Sequence, residues 1–258
     1  MEGILGGGRT VRPGEITLAH FGTLFLDEAP EFRLPALQSL REPMEDRVIT
    51  IVRAEGPLKL PANFQLILAA NSCPCGRLGT DIPAGGAGGI VTGGFRDYPE
   101  PTVTSGCFCS SDEIRRYWRK LGSALLDRIE LRVPLTAPGV LASGGEKEEC
   151  SAEIRLRVRA AVEIQRERFK GSGTRRNARM SPSQIERFCF LSERAKEAFT
   201  LAAAKLALSG RACHGILKIA RTIADLEGKD TLDTVHILEA VQHRRYGDDP
   251  YDILSIGE

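Results

Sequence analysis

Apolar residues in the first half of the chain come in short unbroken runs, whereas in the second half they recur at helical spacing. The run Thr23–Leu26 does not alternate with polar residues, which is typical of a strand buried on both faces of a parallel sheet. Residues 64–70 form a second run of this kind. Between them, residues 48–53 and 58–60 flank a turn that contains Gly-Pro, a pattern that predicts a β-hairpin. The first half is therefore predicted to be an α/β region, with a parallel sheet and a hairpin insert.

Helical spacing also appears within this first region. A helix is predicted over 33–42, with Pro35 in its first turn, where proline is favoured. A second helix is predicted over 111–121, because apolar residues recur at i, i+3, i+4 and i+7 after a capping serine. The segment 125–131 is predicted to contain the end of a helix followed by a short strand. Residues 138–149, rich in Gly, Glu and Lys, indicate a linker.

Beyond the linker the pattern predicts five helices and no further strand. Capping residues mark where the later helices start, and Gly228 marks the end of the fourth. The expected caps are Ser181, Ser192, Ser209 and Asp230. The expected inward residues are Ile154, Val158, Ala161, Val162 and Phe169 in the first helix and Val235, Leu238 and Val241 in the fifth. The predicted domains are thus an α/β domain over 1–145 and an all-α domain over 146–258.

Composition fits an ordinary globular chain. It has 258 residues, a net charge of +1, 42% hydrophobic residues and 27% charged residues. It has no apolar run of about 18 residues, so no transmembrane helix and no membrane partner are expected. The N-terminus lacks the basic and apolar regions of a signal peptide. Seven cysteines without such a signal indicate reduced thiols or a metal site, and hence a cytoplasmic location.

Polar side chains follow both apolar runs at the points where the strands should end. Asp27 and Glu28 come directly after Leu26, and Asn71 follows residues 64–70. In open α/β sheets ligands lie outside the carboxyl ends of the strands, so chemistry is expected at these residues. A hydrophobic run ending in Asp-Glu is the Walker B pattern of P-loop ATPases, in which Asp holds Mg²⁺ with its nucleotide and Glu polarises the attacking water. The residues alone also allow a solvated acidic turn and a turn-forming asparagine.

Four of the cysteines form two Cys-x-Cys pairs, one on each side of a long Gly-rich segment. They are Cys73 and Cys75, then Cys107 and Cys109. Four thiolates could close a tetrahedral Zn²⁺ site that pins the intervening loop. This spacing lies outside the usual pattern of zinc ligands, however, and four reduced thiols or a disulfide remain open alternatives.

Taken together, several stretches resemble the magnesium-chelatase-like AAA+ ATPases, and specifically their YifB/ComM branch. They match in order and spacing, and Cys-Pro-Cys-Gly separates this branch from the chelatase motor subunits. The matching stretches are Arg-Pro-Gly-Glu-Ile-Thr-Leu-Ala-His at 12–20, Leu-Phe-Leu-Asp-Glu at 24–28, Leu-Arg-Glu-Pro-Met-Glu-Asp at 40–46, Ala-Ala-Asn-Ser-Cys-Pro-Cys-Gly at 69–76, Leu-Leu-Asp-Arg-Ile-Glu-Leu at 125–131 and Ile-Leu-Lys-Ile-Ala-Arg-Thr-Ile-Ala-Asp-Leu at 216–226. The resemblance implies a P-loop AAA+ core with a helical lid, in a hexameric motor that uses ATP and Mg²⁺. Members of the branch are associated with DNA branch migration during natural transformation, so DNA is the implied partner.

The resemblance also implies a role for each matched position. The hairpin over 48–60 would be the insert that points into the central pore of hexameric relatives. Arg128 would be the arginine finger, although the residues alone equally allow a surface ion pair with Asp127. Arg221 is a weaker candidate for sensor 2. The other implied roles are Walker B for Asp27 and Glu28, sensor 1 for Asn71 and sensor 2 for Arg211.

One part of the family pattern is missing from the 258 residues. The P-loop, Gly-x-x-x-x-Gly-Lys-[Ser/Thr], should precede Walker B and is absent; the one Gly-Lys pair, Gly228-Lys229, is followed by Asp230. The Lon-protease-like domain found at the N-terminus of the family is absent too. We therefore expect a truncated P-loop AAA+ core, the C-terminal part of a longer ATPase. It should have an unpaired sheet edge at Walker B and be inactive without the missing P-loop half.

Three functions follow from these features. The first is the C-terminal portion of a hexameric, ATP-dependent DNA motor with the helicase or branch-migration activity of the competence branch. The second is a magnesium-chelatase-type ATPase subunit, against which the Cys-Pro-Cys-Gly element counts. The third is non-catalytic, either an interaction module or the product of a decayed gene.

Overall fold

The computed structural model describes residues 2–8, 12–53, 56–78, 81–82, 104–105, 107–135 and 149–245. They fall into two compact units, the first ending at Arg128 and the second beginning at Ile129. The domain boundary predicted at residues 145 and 146 lies outside the described residues, as does nearly all of the linker predicted over 138–149. The domain limits 1–145 and 146–258 therefore stay predictions.

The first unit is built from short strands and helices. The predicted β-hairpin is confirmed, because two strands pair antiparallel from Val48 opposite Pro61 to Arg53 opposite Gly56. The strands of the unit are β1 (Gly6–Gly7), β2 (Arg12–Pro13), β3 (Thr23–Leu26), β4 (Val48–Arg53), β5 (Gly56–Pro61), β6 (Gln65–Leu68), β7 (Asp81–Ile82) and β8 (Thr104–Ser105). Its helices are α1 (Glu2–Leu5), α2 (Glu15–Leu18), α3 (Leu34–Gln38), α4 (Arg41–Asp46), α5 (Ser111–Arg119) and α6 (Ser123–Leu126), with a 3-10 turn at Ala29–Glu31.

Strands β3 and β6 form the parallel pair that the apolar runs predict. Their register starts at Thr23 opposite Gln65 and continues through the next three pairs. Leu24 and Leu26 are buried, but Phe25, on the other face of β3, is 57% exposed. The prediction that β3 is buried on both faces is therefore wrong for the described residues. They cover one face of the pair only and add no third strand to it.

The single helix predicted over 33–42 is instead two short helices, α3 and α4. Pro35 lies in the first turn of α3, as predicted. Pro43 explains the break, because a proline ring clashes with the carbonyl four residues earlier, here that of Ser39, and cannot donate to it. Helix α3 accordingly ends at Gln38, and α4 begins at Arg41.

Helix α5 follows the predicted spacing, with Ile114 and Tyr117 buried on its inner face. Its cap is Ser110 rather than the serine after it. The Ser110 hydroxyl accepts from the Glu113 amide, and the Glu113 carboxylate accepts from the Ser110 amide, a complete capping box. The short strand predicted to follow at the end of 125–131 is wrong, since the described residues 129–135 contain no strand.

Within the described residues the second unit is helical, as predicted. Its helices are α7 (Ser151–Arg168), α8 (Pro182–Phe188), α9 (Glu193–Lys205), α10 (Gly210–Leu226) and α11 (Thr234–Arg245), with a 3-10 turn at Asn177–Arg179. The hydroxyls of Ser181, Ser192 and Ser209 accept from amides in the first turns of α8, α9 and α10, which confirms three of the predicted caps. None of the helices in the described part of the chain is long and apolar enough to cross a membrane.

Helices α7 and α11 differ from the prediction in different ways. On α7, Ala161 and Phe169 are buried as expected, but residues 151–160 are exposed on every side, Ile154 and Val158 among them. On α11, Val241 is buried, whereas Val235 and Leu238 are 63% and 54% exposed. Apolar residues lie on two faces of α11, and the face turned inward carries Ile237 and Ala240 together with Val241.

Two polar side chains lie on the same inner face of α11. His236 and Arg244 are buried on its inner face. The Asp233 N–H donates to His236 Nδ1 at 2.8 Å, and Arg244 donates to the Ile129 carbonyl at 3.3 Å. The backbone after Ile129 is held by the same helix rather than by a strand, because the Arg132 N–H donates to the carbonyl of α11 residue 243 at 2.9 Å. Buried polar groups with such partners are tolerated at the core.

Candidate functional site

The two carboxylates predicted as Walker B lie directly after β3. Both side chains are exposed. Glu28 has a left-handed backbone (φ 49°, ψ 43°), and its N–H donates to Asp27 Oδ1 at 2.9 Å. This backbone conformation ends the extended strand, and the 3-10 turn at Ala29–Glu31 follows. The turn is tied to the neighbouring strand, since the N–H of residue 29 donates to the Ala69 carbonyl at 2.8 Å.

Asn71 lies at the same edge of the parallel pair. Pairing continues past the end of β6, where the Ala69 N–H donates to the Leu26 carbonyl at 2.9 Å. Asn71 follows two residues later and is exposed. The structure thus brings Asp27, Glu28 and Asn71 to the carboxyl edge shared by β3 and β6, where open α/β sheets bind ligands.

Tyr117 of α5 lies against this edge, although its sequence pattern predicts only a core residue. Burial raises the pKa of its phenol, and a hydrogen bond with the backbone amide of Asn71 partly offsets the rise. The charges of Glu31 and Glu28 add to the upward shift. A neutral phenol therefore supports the backbone of the candidate sensor 1 residue.

Arg128 follows α6 and is held within its own unit. Its guanidinium forms an ion pair with Glu45 of α4 and donates through Nη1 to the Ala124 carbonyl at 2.6 Å. The Arg128 side chain is 16% exposed. Glu45, a partner that the sequence did not indicate, therefore fixes the candidate arginine finger from the helix that leads into the β4–β5 hairpin.

The two candidates for sensor 2 lie on α10 and differ in their surroundings. Arg211 is in the first turn and is exposed. Arg221 is 1% exposed, and its Nε donates to Asp225 Oδ1 at 3.1 Å. The other nitrogens of Arg221 donate to the carbonyls of Lys229 and Asp230. Arg221 is therefore committed to the interior of the helical unit, and sensor 2 stays a prediction for Arg211.

The two Cys-x-Cys pairs come together in the first unit as a cysteine quartet. The Sγ atoms of Cys73, Cys75, Cys107 and Cys109 all lie within 4.8 Å of one another, and all four thiols are free. Three of the separations are 3.3 Å (Cys73–Cys75), 3.5 Å (Cys73–Cys107) and 3.6 Å (Cys75–Cys107). Tetrahedral zinc with Zn–S bonds of about 2.3 Å has S···S edges of about 3.8 Å, so this donor set fits Zn²⁺ after shifts on the order of half an ångström.

Backbone amides donate hydrogen bonds to two sulfur atoms of the quartet. The Leu78 N–H donates to Cys73 Sγ at 3.4 Å. A hydrogen bond from the Arg77 backbone, helped by neighbouring thiols, lowers the pKa of Cys75 to about 6, whereas burial raises the pKa of Cys107 to about 12. A bound dication would favour all four thiolates at once, which crowded thiols do not achieve by themselves.

Comparison with known proteins identifies the family. The family model described as magnesium chelatase, subunit ChlI, matches residues 1–84, and the model of the C-terminal part of that subunit matches residues 148–244. The first match contains the edge with Asp27, Glu28 and Asn71, and the second contains Arg211. The chain belongs to the magnesium-chelatase-like AAA+ family. The resemblance expected from the sequence motifs is thereby confirmed.

Individual relatives place the chain in the YifB/ComM branch. Competence protein ComM of Haemophilus influenzae is 39% identical over 248 residues, which are 95% of this chain and 43% of that protein. Proteins named YifB from Salmonella typhimurium and Escherichia coli are 36% and 35% identical over 246 residues, again 95% of this chain and 43% of their own length. The chain thus spans less than half the length of these relatives.

Proposed function

We propose that this chain is the C-terminal part of an ATP-driven AAA+ motor that acts on DNA. The observation that carries the proposal is the common sheet edge, where the paired ends of β3 and β6 bring Asp27 and Glu28 together with Asn71. In P-loop ATPases the residues at this edge serve the Mg²⁺–nucleotide complex and the attacking water.

Each side chain at the edge has a chemical task in this proposal. Asp27 accepts the Glu28 N–H through Oδ1, which fixes its carboxylate, and this carboxylate would hold the Mg²⁺ that accompanies the nucleotide. Glu28 polarises the attacking water, and Asn71 orients it. Mg²⁺, when bound, supplies neutralising charge at the phosphate oxygens. All three side chains are exposed, which suits groups that must meet a ligand entering from solvent.

Two arginines complete the proposed site. Arg128 would act as the arginine finger on the nucleotide of a neighbouring subunit, and Arg211 would act as sensor 2. Fingers of this kind contribute about 10³–10⁵-fold to kcat in P-loop enzymes. Because a finger of this type works across a subunit boundary, the proposal includes a homo-oligomer, with the hexamer of the family as its expected form.

Nucleotide binding in this proposal needs a P-loop from outside the 258 residues. Without the Gly-rich loop and its lysine, no backbone cradle receives the β-phosphate and no lysine reaches the γ-phosphate. We therefore propose that the chain alone is inactive. DNA as the substrate rests on the similarity to a protein named for competence. The proposed contact is the β4–β5 hairpin, where Lys59 is exposed and suits a phosphate.

Mg-ATP binding tests the nucleotide part of this proposal. The purified chain is titrated calorimetrically with and without a separately expressed P-loop half, and binding is expected only with both. Asp27→Asn should weaken that binding, Glu28→Gln should keep binding and stop hydrolysis, and Asp46→Asn, at an exposed acid of α4, should change neither. Tight binding by the chain alone, or hydrolysis that survives Glu28→Gln, would contradict the proposal.

A separate measurement tests whether DNA is the substrate. ATP hydrolysis by the restored assembly should rise when branched DNA is added and should not respond to a porphyrin. The reverse response would favour a chelatase-type subunit. Nucleotide binding without any hydrolysis would favour a non-catalytic interaction module.

We also infer that the cysteine quartet holds Zn²⁺ as a structural ion. Four sulfur ligands leave no position for water or substrate, which is the arrangement of closed structural sites. Elemental analysis should find about one zinc per chain. The double variant Cys73→Ser, Cys75→Ser should lose it, whereas Cys213→Ser, in the second unit, should keep it. Unchanged zinc content and stability in the double variant would remove the zinc site.

A further inference from the structure

The cysteine quartet begins immediately beyond the candidate sensor 1 residue. Only Ser72 separates Asn71 from Cys73. A Cβ added to Gly76, in the turn that follows Cys75, would lie 3.8 Å from Asn71 Cγ. This turn therefore passes beside the Asn71 side chain, and the space open to the amide depends on the shape of the turn.

Helix α5 holds the same residues from a second direction. Trp118 Nε1 donates to the Ser72 carbonyl at 3.0 Å. The phenol of Tyr117 lies near enough to the Asn71 backbone amide for that amide to lower its pKa. Two adjacent side chains of α5 thus meet two successive residues, so a displacement of α5 must either break the bond to Ser72 or move Asn71 with it.

The quartet joins the turn to the helix. Its first two cysteines lie in the turn after Asn71, and its last two directly precede Ser110, the cap of α5. Trp118 packs here on a small buried cluster of Cys73, Leu78 and Ile114. So few apolar residues bury little surface, and a metal held by four sulfurs would be the main link between the turn and α5.

We propose that metal binding at the cysteine quartet sets the position of Asn71, with Trp118 and Tyr117 as positioning residues that connect the two. The inference deepens the proposed ATPase function, on which the water-orienting role of Asn71 rests. Removal of the metal then switches hydrolysis off without altering any phosphate contact. The ligand is a thiophilic divalent cation, and Zn²⁺ is the probe.

The asparagines of the chain allow a test without nucleotide. Asn63, Asn71 and Asn177 are the three that it contains, so nitrogen-15 labelling of asparagine gives one set of amide signals for each. Asn63 reports on the first unit, where its N–H donates to His20 Nδ1 at 3.1 Å. Asn177 is buried in the second unit and reports on that one. Both serve as internal controls for Asn71.

Chelation of the zinc-loaded chain should shift the Asn71 signals and the emission of Trp118, the single tryptophan, and added Zn²⁺ should reverse both changes. The Asn63 and Asn177 signals should stay in place. Cys213→Ser, outside the quartet, is the matched control and should respond as the unchanged chain does. Asn71 signals that do not move while the metal leaves, or a chain that takes up no zinc, would overturn the proposal.

If chelation unfolds the first unit, the Asn63 signals will change too, and a second variant is then needed to test the proposal. Trp118→Phe removes the bond to Ser72 and leaves all four cysteines in place. With zinc bound, it should shift the Asn71 signals and leave those of Asn63 unchanged; unmoved Asn71 signals would overturn the proposal. No arm contains ATP, so a failure of this positioning role is distinguished from a failure of the proposed ATPase function.

Discussion

Replacing Asp225 by alanine is expected to destabilise the second unit by about 3–5 kcal/mol. The Asp225 carboxylate is completely buried and accepts hydrogen bonds from Arg168 at 2.6 Å, Arg221 at 3.1 Å and Asn177 at 2.8 Å. The side chain of Arg221 is only 2% exposed and that of Arg168 11%. Without Asp225, these guanidinium groups stay buried without their counter-ion, which is the costly way to break a buried pair.

The melting temperature of the full chain measures this loss. Far-ultraviolet circular dichroism reports mainly on the second unit, because the long helices α7, α9, α10 and α11 belong to it. For a unit of this size, 1 kcal/mol corresponds to about 4 °C, so a fall of roughly 12–20 °C is expected. Glu163→Gln is the matched control: it breaks an ion pair with Arg166 whose side chains are about 60% exposed, and it should cost less than about 1 kcal/mol.

Asp225→Asn separates charge from shape, since the amide keeps one acceptor oxygen and nearly the same volume. It should lie between the alanine variant and the control. A loss below about 1 kcal/mol for Asp225→Ala would refute the argument that the buried arginines depend on this carboxylate.

Three further perturbations test other parts of the chain. Glu45→Gln should lower the unfolding free energy of the first unit by on the order of 1 kcal/mol, because Arg128 loses its half-buried ion-pair partner. Denaturant titration followed by tryptophan emission measures this loss. Glu31→Gln, which breaks an exposed ion pair, is the control and should leave the denaturation midpoint unchanged. Gly122→Ala should lower the melting temperature, since Gly122 has a φ of +73°, a left-handed backbone conformation that alanine adopts only with strain; an unchanged melting temperature would contradict this. Hydrogen bonds from Ser110 lower the pKa of Glu113, so its support of α5 is complete above the ordinary glutamate pKa of about 4.3 and is lost as the pH falls through the lowered value. Loss of this support should change the emission of the tryptophan on α5 as the pH falls. Glu113→Gln should remove the pH dependence, and a dependence that persists in this variant would show that it arises from another group.

Elements whose signal is local could be predicted from the sequence. The hairpin is marked by its turn residues, and the starts of α8, α9 and α10 by the side chains of Ser181, Ser192 and Ser209, whose bonds span only three residues. The position of Asp27 and Glu28 at a strand end was likewise predictable, because the apolar run stops at Leu26. These signals require no knowledge of how distant segments pack.

The inward face of α11 was predicted wrongly, because apolar residues occur on two faces of the helix and polar side chains help to form the buried one. His236 takes part in the start of the helix and Arg244 bonds to a carbonyl of the preceding segment, so both are buried with satisfied bonds. The prediction placed Val235 and Leu238 inward, but both are exposed, whereas Ile237 and Ala240 are buried. Apolar spacing alone therefore left two rotations of α11 open, and the hydrogen-bonded polar side chains lie on the one that is buried.

Contacts between residues that are distant in the sequence could not be predicted either. The Cys-x-Cys spacing left zinc open, and only the tertiary structure brings Cys107 and Cys109 to Cys73 and Cys75. The contact between Glu45 and its arginine depends on tertiary structure in the same way. Nothing in the local sequence around Glu45 distinguishes it from the other acidic residues of α4.

The uncovered face of the β3–β6 pair should make the isolated chain prone to aggregation. Phe25 and Ile67 are 57% and 41% exposed there, and neither strand has a third neighbour among the described residues. Open strand edges beside exposed apolar side chains recruit other copies without a fixed stoichiometry. The size of such aggregates grows with protein concentration, whereas a closed ring oligomer has a fixed number of subunits. Phe25→Thr should therefore suppress this aggregation without affecting the proposed ring, and light scattering at several concentrations distinguishes the two.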